Sequence, residues 1–409
     1  MRKIRILAVP SDLKGGCSFF RIFQPLQYIE SHYGDEFDIT YNLNPDWKNL
    51  SYLKSFDVIH VYKGLFDDMK SFYNSIVSLK KTNTVTVLDV DDAWELTDDH
   101  PNYRVYTEGY LTDMIDTNAH VFDYVTTTTS IFAKYIFLKN HHVTVIPNAI
   151  DPEDDRFKIN RKPYDKLRVG FIMGSQHEKD VDIMGNFTSE LSSDTLDKIQ
   201  LVLCGFDLNG IMNIFDKSGK YVNSRPMLPT ETVWHRYESK ITNNRKILSD
   251  DYDKFLNMYV PDFEYPDIDN EHYRRCWTKD IDHYFKHYES VDVLLAPLKD
   301  NHFNNVKSPL KVAECCFSNT ALIASNIGPY KEVLTNAVEA NEKINKNGTA
   351  LLVNNRKDWA KYITMLANDR NLVSMLQKNI HDAFKDVYSL ESISKIRRYF
   401  YREITNYRN

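Results

Sequence analysis

One stretch restricts the fold of this chain more than any other: residues 291–333, VDVLLAPLKDNHFNNVKSPLKVAECCFSNTALIASNIGPYKEV. It opens with an apolar run, Val291 to Leu295, bounded by Pro297, which is the pattern of a strand buried in a parallel sheet. A polar loop, 299–305, leads to a helical spacing with Leu310, Ala313 and Phe317 on one face and Lys307, Lys311 and Glu314 near another. A second apolar strand, 321–324, runs into Gly328-Pro329 and a short helix. Strand, loop, helix, strand and glycine turn form a mononucleotide-binding arrangement, and such sheets hold ligands at the carboxyl ends of their strands. Helix N-termini expected at Lys307-Ser308 and beyond Gly328 would offer N–H groups to phosphate. Lys307 and Lys311 add charge, Ser308 adds a hydroxyl, and Glu314 adds a carboxylate for ribose hydroxyls. The spacing also suits a solvated amphipathic helix of any α/β domain.

At 409 residues the chain has room for two domains. A net charge of −6 argues against general affinity for nucleic acid. The start, MRKIRILAVPSD, reads as a first strand, since Arg5 interrupts an apolar run too short for a secretory leader. No stretch has the length to span a bilayer. Cys17, Cys204, Cys276, Cys315 and Cys316 show no metal-ligand spacing and are expected to be reduced thiols of a cytoplasmic protein.

Taken in order, strand 3–9 is followed by a loop with Gly15 and Gly16, where backbone can approach a ligand closely, and by a helix carrying Arg21. Strand 57–62 ends in Lys63-Gly64, and strand 84–88 ends in DVDD, residues 89–92. Both endings fall at carboxyl ends of expected parallel strands, which directs His60, Tyr62, Lys63, Asp91 and Asp92 to one cleft. Crowded carboxylates raise at least one pKa, which suits a base for a hydroxyl proton; they could also hold a divalent ion, and Asp92 could simply cap a helix. Residues 152–166 are polar with two prolines and read as a linker. The second half opens with strand 167–172 and the loop MGSQHEKD, where Gly174, Ser175 and His177 follow a strand end. Residues 207–284 are irregular. Their basic group His235, Arg236, Lys240, Arg245 and Lys246 reads as a solvated helix face. The end, SLESISKIRRYFYREI, is a basic amphipathic helix suited to a membrane surface or to a second domain.

The run APL…FN..KS.LK..E…IAS..GPY.E resembles the donor-site region of GT-B glycosyltransferases, specifically the retaining group called family 4. VTVIPNAID, at 143–151, resembles that family's marker at the end of the first domain, and DxDD followed by Trp94 resembles a subset of these enzymes. The chain departs from the family's paired glutamates: Val306 stands where the first would be, leaving Glu314 alone. Asp91-Asp92 also replace the usual His-Asp pair.

The resemblance implies two doubly wound Rossmann-like domains facing a cleft. They are expected at 1–151 (acceptor side) and 167–385 (nucleotide-sugar side, with an insert at about 207–284), with a helix at 386–409 crossing back to the first. It implies sugar transfer from a nucleotide-sugar, UDP- or GDP-linked, to a hydroxyl of a glycan or lipid-linked acceptor. Retention follows by the same resemblance, without a required cofactor; the expected location is cytoplasmic, or peripheral at the inner membrane face. Asp91, Asp92 and Lys311 are the candidate catalytic residues. Gly15, Gly16, Gly174, Ser175, Lys307, Ser308, Glu314 and Gly328 are donor-side, and Arg21, His60, Tyr62, Lys63 and His177 are acceptor-side. The competing readings are a phage-type transferase acting on modified bases in DNA and a nucleotide-sugar-binding protein without catalysis.

Overall fold

The computed structural model describes residues 2–207, 210–216, 221–228, 231–242, 268–269 and 271–406. The first half contributes β1 (Ile4–Val9), β2 (Phe37–Tyr41), β3 (Val58–Tyr62), β4 (Val85–Asp89), β5 (Tyr124–Thr127) and β6 (Val143–Val145). They form one parallel sheet in the order β2-β1-β3-β4-β5-β6. Alternate residues of β1 enter different cores: Leu7 and Val9 meet Phe72, Ile76 and Phe132, whereas Ile6 and Ala8 meet Leu26, Ile29 and Tyr401. Burial on both faces is why these strands read as continuous apolar runs.

The second half adds β7 (Leu167–Ile172), β8 (Ile199–Phe206), a hairpin of β9 (Ile211–Phe215) and β10 (Tyr221–Pro226), then β11 (Ile268–Asp269), β12 (Tyr273–Trp277), β13 (Val293–Ala296), β14 (Ala321–Ser325) and β15 (Leu351–Val353). The sheet order is β11-β12-β8-β7-β13-β14-β15, parallel except for the short antiparallel edge β11. Strand order reverses between β7 and β13, and in the first sheet between β1 and β3. Each reversal opens a crevice at the strands' carboxyl ends, the position where doubly wound sheets take ligands.

The two doubly wound domains expected from the sequence are thus present. The final helix, Leu390–Asn406, crosses back and buries Leu390, Ile393, Phe400, Tyr401 and Ile404 against the first domain. Its apolar face is therefore spent on packing and is not presented to a membrane. No described helix is long and apolar enough to cross a bilayer.

Three expectations about elements need correction. The stretch 207–284 is not wholly an insert, because β12 is an integral strand of the second sheet. Its sequence, YRRCW, hides this: Arg275 is fully buried against Glu238 at 2.6 Å and lies 4.0 Å over the Phe206 ring. The loop at 299–305 contains a helical turn, His302–Asn305. The helix after it is Leu310–Ser318, starting beyond Lys307-Ser308, and it is buried nearly all round from Val312 to Cys316 under Ile380 and Phe384. Arg236 and Lys240 pair with Glu178 and Asp182. Arg245 and Lys246 lie outside the described residues.

The halves interlock through apolar side chains. Phe19 and Phe20, turned inward by a π-helical turn at Phe19–Phe23, enter the second domain's core beside Phe157 and Tyr284. Phe303 and Val306 of the second domain enter the first domain's core in return.

Candidate functional site

The carboxyl ends of β7 and β8 open into a cavity of about 750 Å³, lined among others by Gly174, Ser175, His177, Gly205, Lys279 and Lys311. That is within the size range of small-ligand and cofactor sites. The loop after β7 is fixed from behind: the Tyr237 hydroxyl donates to the carbonyls of Gly174 and Ser175 at 3.3 and 3.0 Å. A Cβ on Gly174 would meet nothing within 4 Å among the described residues, so the loop leaves room for close approach of a ligand. His177 Nδ1 lies 2.6 Å from Asp180, whose other oxygen accepts from the Lys299 N–H and from Asn304 Nδ2 at 2.8 and 2.7 Å. Asp180 thereby binds the loop after β7 to the loop after β13. Burial and the charge of Lys307 hold His177 below the ordinary histidine range, against the pull of Asp180.

The facing crevice, between β1 and β3, is a smaller space of about 270 Å³ bounded by Ser11, Asp12, Gly15, Gly16, Tyr62 and Lys63. Asp12 accepts from the N–H groups of Lys14 and Gly15, which shapes the glycine loop. Lys63 takes a left-handed φ of 55° and Gly64 a φ of 68°. Asn118 Nδ2 holds this turn by donating to both carbonyls at 3.1 and 2.8 Å. A non-glycine residue held at positive φ is the kind of strain that clusters at working sites. The turn brings the Lys63 ammonium to 3.5 Å from Asp91, and the Tyr62 hydroxyl donates to the same carboxylate at 2.6 Å.

Asp92 sits beside this pair. Burial and then the charge of Asp91 push its pKa up, while Lys307 from the second domain and Lys63 pull the other way. Burial opposes the charge on Lys63, but Asp91, Tyr106 and Asp92 more than offset it and hold that ammonium well above the usual lysine range. The acids thus stand between a lysine of each domain. No helix follows Asp92, so it caps none. One donor atom each from Cys17, Asp91 and Asp92 lie within 4.8 Å of one another, a spacing that would admit a cation.

Lys311 lines the larger cavity and donates to Glu314 at 2.7 Å, and Lys307 lies 4.7 Å over the Phe303 ring. Five expected site residues are placed otherwise. Arg21 is fully buried; its guanidinium grips Asp89 at 2.8 and 2.9 Å and donates to the Ile146 carbonyl and to Asn148. His60 lies in mid-strand under the final helix, sharing a hydrogen bond with Tyr401 and standing 3.5 Å from Asp89. Burial keeps its ring below the ordinary histidine pKa despite Asp89. Glu314 is 1% exposed, accepts from Tyr288 as well as Lys311, and is not among the described residues lining the cavity. Ser308 accepts from Asn148 at 3.1 Å, a bond between the domains. Gly328, with φ 35°, lets its helix touch the backbone of Asn305, 2.4 Å from where a Cβ would stand. Val306, in the place of the family's first glutamate, is an apolar contact of the first domain.

Asp180, Asn304 and Tyr237 escaped the sequence reading. The only signal was the three-residue spacing from His177 to Asp180 on the helix Glu178–Asp182. Asn304 stands in the quoted run FN..KS but was given no role, and Tyr237, far from the loop in sequence, carries no signal.

No protein-family model and no curated protein matches the chain. Solved structures do match over nearly its full length. HepE of Anabaena, in complex with UDP and glucose, is 10% identical, with 98% of this chain and 100% of that one covered and a TM-score of 0.61. Sucrose-phosphate synthase of Thermosynechococcus elongatus is 12% identical, with 98% and 99% covered and a TM-score of 0.59. A Listeria monocytogenes protein described as a candidate UDP-N-acetylglucosamine 2-epimerase is 9% identical, with 98% and 97% covered and a TM-score of 0.51. At these identities the likeness establishes the fold, the two-domain GT-B architecture.

Proposed function

We propose that this chain is a glycosyltransferase that takes a sugar from a nucleotide-sugar, UDP-linked as in the HepE complex, and transfers it to an acceptor hydroxyl of a glycan or lipid-linked sugar. The observation that carries the reading is the pairing of two crevices. One offers lysine charge and an open glycine loop, and the other is bounded by Tyr62 and Lys63, which hold the Asp91 carboxylate beside Asp92. Lys311, Lys307 and the Gly174 backbone stabilise the departing diphosphate, a charge that develops in the transition state. Asp92 receives the acceptor proton, its raised pKa bringing it closer to the working pH of a general base. Asp91, fixed by Tyr62 and Lys63, orients the acceptor hydroxyl. Transfer with retention is part of the proposal and rests on the sequence resemblance.

Val306 and the Lys311–Glu314 bond favour one other reading, binding of a nucleotide-sugar without transfer. DNA is not proposed as acceptor, because Lys63, Lys299 and Lys311 each sit on a carboxylate and do not line a free basic groove.

UDP-, GDP-, ADP- and CDP-sugars are to be tested by thermal shift and by release of nucleotide diphosphate, since a ligand of the native state raises Tm. The expected result is a shift with one nucleotide class, release that depends on an acceptor, and loss of both turnover and donor affinity in Lys311→Ala. Kinetics of Lys311→Ala equal to wild type would refute the assignment. Binding without release would leave the second reading.

A further inference from the structure

We propose that Cys204, Cys276 and His287 form a binding site for a zinc-class divalent cation in the wall of the larger cavity. Cys204 on β8 and Cys276 on β12 are direct partners in a parallel register, so both side chains leave the sheet on one face. The 3₁₀ turn Tyr284–Ser290 covers that face and brings His287 to them. One ligand atom from each residue lies within 4.8 Å of the others. At a Zn–S distance of ~2.3 Å, two ligands of a tetrahedral ion stand roughly 3.5–4 Å apart, so the cluster is already near coordination spacing.

Burial distinguishes this group from a chance neighbourhood. The three residues are 0%, 4% and 4% exposed, yet His287 Nδ1 has no hydrogen-bond partner among the described residues. Two buried cysteines alone would be ordinary small hydrophobes. The His287 ring is already a hydrogen-bond partner of Cys276, so imidazole and thiol meet where a shared ion would sit. Two thiolates, a neutral imidazole and a divalent cation sum to no net charge, which suits the apolar cluster around them. Arg274 Nε donates to Cys276 Sγ at 3.4 Å, the outer contact that tunes a metal ligand. Cys204 and His287 both line the cavity, so the fourth position faces it, as in zinc sites that keep an exchangeable ligand. That position would take water or an oxygen of whatever the cavity holds. The sequence gives no hint of this, because the two cysteines meet only through strand pairing.

The test uses the full chain, stripped with a chelator and titrated with Co²⁺ alone. The expected result is about one ion per chain with tetrahedral visible bands and a near-ultraviolet thiolate-to-cobalt band, displaced by Zn²⁺. Cys276→Ser and His287→Ala each weaken binding at least ~10-fold, and Cys17→Ser leaves the spectrum unchanged. Should the buried variants fail to fold, the wild type suffices: Zn²⁺ slows alkylation of Cys204 and Cys276, read by peptide mass spectrometry. A spectrum without a thiolate band, no protection by Zn²⁺, or a band lost in Cys17→Ser overturns the proposal. None of these readouts depends on transferase activity.

Discussion

Asp92 gives the residue scale its sharpest consequence. Its pKa is raised by burial and by Asp91, and lowered by Lys307 and Lys63. A base must be deprotonated to act, so kcat/KM should rise with pH through a limb above the ordinary aspartate value of about 3.9. Asp91→Asn removes the charge that pushes Asp92 up and should move the limb to lower pH. Lys63→Met removes a charge that pulls it down and should move the limb to higher pH. Asp92→Asn should cost ~10²–10⁴-fold in turnover. A pH–rate series of the three variants checks all of this, and limbs moving together would show that Asp92 is not the titrating group. These acids were legible beforehand because they end an apolar run, and Lys63 was legible for the same reason. His60 was misplaced because it stands two residues earlier in β3, where side chains meet the covering helix and not the cleft.

Elements carry their own tests. The Arg275–Glu238 pair holds β12 against the helix Val233–Ile241. Glu238→Gln leaves a buried guanidinium without its counter-charge and should cost ~3–5 kcal/mol by urea denaturation. A paired Glu238→Leu, Arg275→Met replacement should cost much less. Within β3, His60 is kept neutral in the fold but takes up a proton more readily once unfolded. Unfolding then binds a proton, and stability should fall as pH drops below the unfolded value of about 6.5. In His60→Asn the Tm at pH 7 should be lower but its decline toward pH 5.5 shallower. Asp89, held well below the usual carboxylate range by Arg21, adds a second loss only below about 4. Strands buried on both faces were legible from their apolar runs, whereas β12 was not, since its burial depends on a charge supplied by a helix some forty residues away. The buried surround of Glu314 was equally hidden, because helix Arg370–Phe384, which covers its helix, is distant in sequence.

At the scale of the molecule, the reciprocal insertion of Phe19 and Phe20 one way, and Phe303 and Val306 the other, holds the two domains together. Phe20→Ala should loosen that arrangement, raising the radius of gyration in small-angle scattering and weakening donor binding. Phe132→Ala, the same deletion inside one domain, should lower Tm and leave the radius alone. Equal radii in both variants would show that these contacts do not set the domain spacing. The crossing helix has a consequence for any attempt to divide the protein. A polypeptide stopped within 152–166 would make the first sheet without the segment that covers Ile6, Val58 and Val87, while its counterpart would carry an orphaned amphipathic tail. Produced separately, the two pieces should precipitate; made together in one cell, they should reassemble into a functional pair.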